Sequence, residues 1–174
     1  MKKIWIIGCV WVFISIPLIA QTVKVVSFPQ FASNSLVVFS KYVNWPINHK
    51  NGDFIITIIG DKEVYTELTR LSADMKVGTQ GILVRYYNKA SEIDGFSHII
   101  YVSESSGYSF KRILEKIGTD NTLLVTVNDG MLSSGSGINL IPVDGFMKFE
   151  ISKNNIQKRN LQVHSWLEKM ADKE

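Results

Sequence analysis

The chain has 174 residues, of which 45% are hydrophobic and 20% are charged, and its formal charge is +3. A chain of this length and composition is typical of one globular domain. It excludes a long disordered polymer, a solenoid of several repeats and a membrane protein with several spans. The apolar residues are unevenly distributed, because the first twenty residues are far more hydrophobic than the rest.

Residues 1–20 have the pattern of a secretory signal peptide. Two lysines follow Met1, and 14 of the next 17 residues are hydrophobic. Pro17 and Ala20 supply a break and a small residue near the cut, so we predict cleavage after Ala20. One alternative is an uncleaved membrane anchor, because the apolar run lies at the lower limit of a spanning helix. The other is a lipoprotein signal ending at Cys9, which the continuation of the apolar run past Cys9 disfavours.

Removal of this segment changes the charge and the cysteine count. The remaining 154 residues carry 17 basic and 16 acidic side chains, a formal charge of +1, which gives no reason to expect nucleic acid or an anionic membrane as a partner. Cys9 is the only cysteine, so the exported part has no disulfide and depends on its hydrophobic core. No linker, repeat or low-complexity stretch interrupts residues 21–174, which we predict to form one domain.

The exported part alternates helical and extended patterns. Apolar side chains three and four residues apart predict a first helix over residues 28–43, which Trp45-Pro46 ends. Short apolar runs predict four strands, at residues 53–60, 81–87, 97–102 and 122–127. Two further helices are predicted, one at residues 61–71 begun by Asp61 and one at residues 108–117 ended by Gly118.

The last third of the chain predicts a hairpin followed by a helix. Residues 138–143 and 146–151 read as two strands joined by an Asp144-Gly145 turn. Apolar residues on one face predict a final helix over residues 154–171. Strands that alternate with helices indicate an α/β fold, a single-domain sandwich with a mixed, mostly parallel sheet flanked by helices. An α+β arrangement is the alternative.

The residues do not form a recognisable catalytic or metal-binding pattern. His49, His98 and His164 are isolated in sequence, and we interpret His98, in a predicted strand, as structural. The glycine-rich residues 130–137 lack the lysine of a phosphate loop, because Ser136 stands in its place and a strand follows instead of a helix. We therefore predict a flexible, solvated loop there, no cofactor, no bound metal and no enzymatic activity.

Two residues have competing interpretations. Glu150 lies between Phe149 and Ile151 in a predicted strand, where a charged side chain is either a contact residue or the solvent-side charge of an edge strand. Trp45 stands beside the rigid Pro46 and is either an interface anchor or a lid that packs over the core.

Several segments in order carry a family resemblance. Residues 39–46 (Phe-Ser-Lys-Tyr-Val-Asn-Trp-Pro) resemble a helix end of the form F-x-K-Y-V-x-W-P, and residues 54–60 resemble the strand that follows it. Residues 97–103 resemble an H-I-L-F-I-S strand, and residues 123–129 resemble an L-T-V-S-D strand. Residues 136–141 and 149–152 resemble the motifs G-G-M-I-N-F and R-F-E-I-N, and residues 161–167 resemble a helix. Together these segments resemble the YfiR/HmsC-like family of periplasmic regulatory proteins.

The resemblance implies a non-enzymatic function. Members of the family are taken to bind the periplasmic part of an inner-membrane diguanylate cyclase and to restrain cyclic-di-GMP synthesis and biofilm formation. The resemblance also implies an outer-membrane lipoprotein that sequesters the regulator. It further implies that the regulator forms a homodimer. Ser97 replaces a cysteine that members often carry, so disulfide control is not expected here. Ser136 replaces the first glycine of the tail motif.

We take the following residues as candidate partner-binding residues: Tyr42, Trp45, Pro46, Ser136, Gly137, Asn139 and Glu150. A second hypothesis is a periplasmic small-molecule-binding sensor that feeds a histidine kinase. In that case the loop of residues 130–137 and the ends of the strands would line a pocket.

Overall fold

The structure, a computed structural model, describes residues 26–103, 107–143 and 146–171. The predicted signal peptide, residues 1–20, and the predicted Asp144-Gly145 turn lie outside the described residues. The helices are α1 Phe28–Tyr42, α2 Lys62–Ser72, α3 Gly107–Ile117, α4 Lys153–Gln157 and α5 Ser165–Met170. The strands are β1 Val43–Asn44, β2 Phe54–Ile59, β3 Lys76–Val77, β4 Gln80–Tyr87, β5 Ile99–Val102, β6 Leu123–Thr126, β7 Ile138–Val143, β8 Phe146–Ile151 and β9 Gln162–Val163.

The first three helices lie where the sequence predicts them, and local signals account for their ends. Asp61 precedes α2, and its Oδ1 accepts a hydrogen bond from the N–H of Val64 at 3.0 Å, which caps the helix. Gly118 follows α3 with a φ of +49°, a left-handed conformation that ends a helix at little cost in glycine. These three predictions are confirmed because capping and periodicity act within a few residues.

The main sheet is mixed and mostly parallel, as the sequence predicts. Its seven strands lie in the order β3-β4-β2-β5-β6-β7-β8. The five central strands are parallel to one another, whereas β3 and β8 pair antiparallel at the two edges. In the hairpin of β7 and β8, Val143 pairs with Phe146 and Asn139 pairs with Glu150. The hairpin strands are thus confirmed, and β8 is an edge strand.

Helices cover both faces of this sheet. Along β5, Ile99 and Tyr101 belong to the larger core, which α1, α2, α4 and α5 close, whereas Ile100 and Val102 belong to the smaller core under α3. Side chains on alternate faces of one strand are therefore all buried, which explains why the central strands read as continuous apolar runs. The predicted α/β sandwich is confirmed.

The predicted single helix over residues 154–171 is wrong. Asn160 has a φ of +54°, which interrupts the helical conformation three residues after α4. The chain then forms β9, which pairs antiparallel with β1 so that Val43 lies opposite Val163. The segment that resembles a family helix, residues 161–167, is thus a short strand followed by the start of α5. The pairing of β9 with β1, which directly follows α1, satisfies backbone N–H and C=O groups that a helix would satisfy through hydrogen bonds within itself.

The predicted solvated loop, residues 130–137, is correct only for its first part. Ser133 and Ser134 are exposed, but Ser136 and Gly137 are buried. Asn155 Nδ2 donates hydrogen bonds to the carbonyl oxygens of Leu132 and Ser136 at 2.7 and 2.8 Å. These bonds tie the end of the loop to α4, so its buried polar groups have partners within the protein.

Candidate functional site

The order of the parallel strands creates a crevice at one edge of the sheet. The chain passes from β2 through α2 to β4 on one side, and from β5 through α3 to β6 on the other side. Neighbouring strands β2 and β5 therefore lead into helices on opposite faces of the sheet. In open α/β sheets, ligands bind outside the carboxyl ends of the strands at such a reversal of order.

A cavity of about 580 Å³ lies at this reversal. Gly60 follows β2, Ser103 follows β5, and Asn128 follows β6, so three strand ends supply its polar wall. Phe28 of α1 and Met147 of β8 contribute apolar surface. The volume lies within the range of small-molecule sites, and the mixture of an apolar wall with a few polar groups is typical of them.

Asp61 and Tyr101 form a hydrogen-bonded pair in the wall of this cavity. The Tyr101 hydroxyl donates to Asp61 Oδ2 at 3.3 Å, while Oδ1 of the same carboxylate accepts from the α2 backbone. Burial, followed by repulsion from Asp61, raises the pKa of the Tyr101 phenol well above its usual range. Tyr101 therefore stays protonated and acts as a donor that fixes the position of the carboxylate.

The charge of the cavity limits what it can bind. Its described lining includes the acidic residues Asp61 and Asp129 and no lysine, arginine or histidine. A phosphate group would meet no cation there, so the cavity suits a neutral or cationic small molecule better than a nucleotide. Among the described residues, no group of three or more His, Cys, Asp or Glu side chains could hold a metal ion.

Trp45 lies in the core and not on the surface. It is 6% exposed, and its ring meets those of Phe54 and His98 edge-on with centroids 4.9 and 5.8 Å away. The interpretation of Trp45 as a lid over the core is thus confirmed. The exposed apolar residue of this segment is Ile47, which is 80% exposed and follows Pro46 directly.

Tyr42 is half-buried and stacks on Trp166, which lies in the segment predicted as one final helix. Its ring lies 4.5 Å from that of Trp166 at an interplanar angle of 27°, and 5.9 Å from His164. Trp166 remains 43% exposed. The sequence predicts one continuous helix over residues 154–171 and so does not predict the break before α5. The pairing of β1 with β9 brings these aromatic side chains together.

The tail residues of the candidate set are mostly interior. Ser136 and Asn139 are fully buried, and Thr126 Oγ1 lies within hydrogen-bond distance of Ser136 Oγ and Asn139 Oδ1, at 3.0 and 2.8 Å. Gly137 is also buried, whereas Glu150 is half-buried on edge strand β8. The seven candidate residues therefore form two groups, residues 42–46 at the end of α1 and a second group in which Asn139 pairs with Glu150 beside Ser136 and Gly137. Of the seven, Tyr42, Pro46 and Glu150 are half-buried and so partly accessible from the surface.

His98 is a structural histidine that makes stability depend on pH. Its Nδ1 accepts from the N–H of Ile55 at 3.0 Å, and its Nε2 contacts the carbonyl oxygen of His49 at 2.8 Å. This pattern requires the neutral ring with the proton on Nε2. Burial is the main cause that lowers the pKa of His98, with repulsion from His49 a smaller one.

The lowered pKa of His98 predicts weaker folding in mild acid. The unfolded chain binds the proton at a higher pH than the folded one, so stability is full above about pH 6.5 and falls as pH decreases below it. Urea unfolding between pH 8 and pH 5 should show a falling midpoint. The His98→Gln variant, which keeps a donor and an acceptor, should show a flatter profile. An unchanged slope in His98→Gln would contradict the assignment.

The fold and the crevice define a doubly wound α/β domain with a ligand-sized cleft at its strand ends. A family model described as YfiR/HmsC-like matches residues 30–172, which is most of the chain. The protein belongs to the YfiR/HmsC-like family. This is a family of periplasmic regulators of cyclic-di-GMP signalling that are not known as enzymes.

A search of curated proteins finds no match to the chain. Within residues 26–103, 107–143 and 146–171, the helices are all too short or too polar to cross a bilayer.

Proposed function

We propose that this protein is an exported, non-catalytic regulator that binds a diguanylate cyclase of the inner membrane and restrains its synthesis of cyclic-di-GMP. The observation that carries the proposal is the family match over residues 30–172. Export directed by residues 1–20, followed by their cleavage, would deliver the domain to the compartment in which the sensor part of such a cyclase lies. An outer-membrane lipoprotein that sequesters the regulator would release this restraint.

The aromatic pair of Tyr42 and Trp166 is the surface that we propose for this contact. Trp166 is 43% exposed, and Met170, one turn later on α5, is 58% exposed. A large aromatic ring held in place by stacking loses little side-chain entropy on binding, which favours its use as an anchor. The proposed contact thus retains Tyr42 from the candidate set and adds Trp166.

Deletion of the gene should raise cellular cyclic-di-GMP and biofilm formation, and the unmodified gene should restore both. The Trp166→Ala variant should bind the membrane partner more weakly by about 2 kcal/mol, roughly thirtyfold in Kd, in a pull-down from solubilised membranes. Phe146→Ala is the matched control, because Phe146 is an exposed aromatic residue (72%) on β8, which lies in the main sheet and not in the β1–β9 pair. Unchanged cyclic-di-GMP and biofilm after deletion would contradict the proposal.

A second candidate function is a small-molecule sensor that signals to a histidine kinase. The cavity of about 580 Å³ at the strand ends favours it, since this is where α/β folds bind ligands. A metabolite that occupies this cavity would raise the melting temperature of the folded protein. Thermal-shift screening with neutral and cationic metabolites distinguishes the two functions, because the regulator needs no such ligand.

A further inference from the structure

The last strand of the main sheet has an open side. Among the described strands, β8 pairs only with β7, because it stands at the end of the strand order. It has six residues, whereas β3 at the opposite end of the sheet has two. An edge strand presents backbone N–H and C=O groups that can pair with another strand. The edge at β8 is therefore the longer of the two edges of this sheet.

The hydrogen bonding of the hairpin shows which backbone groups point to the open side. The N–H of Ser152 donates to the carbonyl oxygen of Gly137 at 2.9 Å, and the register of β7 and β8, extended by one residue, places these two residues opposite each other. Hydrogen-bonded pairs alternate with pairs that are not hydrogen-bonded along an antiparallel ladder. Every second residue of β8, counted back from Ser152, therefore bonds to β7. The residues between them direct their N–H and C=O groups outward, and these are Met147, Phe149 and Ile151.

Two further observations agree with this assignment. Pro142, which has no N–H, lies opposite Met147, in a pair that needs no hydrogen bond. Outside the sheet, no described group hydrogen-bonds to the backbone of Met147, Phe149 or Ile151. These three residues are half-buried, so the edge is partly accessible. The edge of β8 thus offers their N–H donors and C=O acceptors to a further strand.

The charged side chains of β8 indicate which strand fits this edge. Lys148 and Glu150 lie two residues apart, so they share one face of the sheet, with Phe149 between them on the other face. If β8 pairs antiparallel with β8 of a second copy and Phe149 lies opposite Phe149, Lys148 of each copy lies opposite Glu150 of the other. Both opposite-charge pairs then fall at positions that are not hydrogen-bonded, where side chains approach most closely.

The same charges disfavour the neighbouring registers. A register centred on Lys148 places lysine opposite lysine, and one centred on Glu150 places glutamate opposite glutamate. Like charges directly opposite each other destabilise a pair of strands. Edge charges of a single sign protect a strand because they cannot attract a second copy in any register. The two signs in β8 instead make the strand complementary to itself in one antiparallel register.

We propose that β8 pairs with β8 of a second copy of this chain, antiparallel and centred on Phe149, which joins two seven-stranded sheets into one. In this arrangement the outward groups of Met147 bond to those of Ile151 in the other copy, and those of Phe149 bond to Phe149, so every outward group of the strand is satisfied. A twofold axis relates the copies, as in most protein dimers. The proposal rests on residues other than Tyr42 and Trp166, so it can fail while the proposed contact with the cyclase holds.

Reversal of the charges tests the register directly. Sedimentation equilibrium of the purified protein should show a reversible equilibrium between monomer and dimer. Lys148→Glu and Glu150→Lys each place like charges opposite each other in both pairs, so each variant should dimerise about tenfold more weakly or worse. An equimolar mixture of the two variants should form a heterodimer, because their charges are complementary. The double variant Lys148→Glu/Glu150→Lys should dimerise as the unmodified protein does.

Lys76→Glu is the matched control for these variants. Lys76 is exposed on β3, the edge strand at the opposite end of the main sheet, so the same change of charge there should leave dimerisation unchanged. Recovery of the dimer in the mixture shows that both single variants are folded. A protein that stays monomeric at its highest soluble concentration would overturn the proposal. A dimer that tolerates both single reversals, or a double variant and a mixture that do not recover, would overturn it as well, because the copies would then not meet in this register.

Discussion

Replacing Trp45 by alanine should lower the free energy of unfolding by about 3–5 kcal/mol, the usual range for removal of a large buried aromatic side chain. The indole packs edge-on against Phe54, with ring centroids 4.9 Å apart, and closes the larger core at the end of α1. The variant also removes an unpaired N–H, which offsets a small part of the loss. Urea unfolding followed by circular dichroism measures the difference.

Trp166→Ala is the matched control for Trp45→Ala, because the same atoms are removed from a side chain that is 43% exposed. Its unfolding free energy should fall by only about 1 kcal/mol, from the lost stacking on Tyr42. The pair of variants therefore separates the two roles of tryptophan: loss of stability at Trp45 and loss of partner binding at Trp166. Equal losses of stability in both variants would contradict the assignment of Trp45 to the core.

Gly137→Ala should lower the free energy of unfolding by about 1–3 kcal/mol through overpacking. A Cβ at this position would lie 2.9 Å from Ile156 Cγ1 and 2.9 Å from Leu123 Cδ1, closer than such atoms approach in folded proteins. Ile156 is on α4 and Leu123 is on β6, and both side chains are buried, so neither has room to withdraw. The expected cost is steric, because the φ of Gly137 does not lie in the left-handed region.

Gly81→Ala is the control for this steric effect. A Cβ at Gly81 would make only an ordinary contact, 3.7 Å from Asp53 Oδ1, and Gly81 also lies outside the left-handed region. Its unfolding free energy should stay within about 0.5 kcal/mol of that of the unmodified protein. If Gly137→Ala were as stable as Gly81→Ala, the close approach of α4 to the sheet at Gly137 would not hold in solution.

The sequence predicted the parts of the fold that depend on neighbouring residues. Asp61 and Gly118 mark helix ends through hydrogen bonding and backbone conformation within one turn, and both predictions are confirmed. The runs of the central strands predicted burial on both faces, and the sheet has that arrangement. The prediction of one final helix was wrong because its apolar periodicity belongs to two short helices, α4 and α5, which strand β9 separates.

The candidate partner-binding set was predicted less well, since exposure depends on contacts between distant segments. The motif that contains Tyr42 and Trp45 gives no indication of which aromatic ring is buried. Packing against Phe54 buries Trp45, while the pairing of β1 with β9 sets Trp166 beside Tyr42 at the surface.

The sequence by itself determined an α/β domain behind a predicted signal peptide, the ends of its first helices and the resemblance to a family of regulators. These follow from short-range preferences of the backbone and from the alternation of apolar residues. Only the tertiary structure decided the strand order, and with it the acidic cavity at the carboxyl edge of the sheet. The physical reason is that a cavity forms where segments far apart in the chain meet, and its charge is the sum of side chains that sequence order does not bring together.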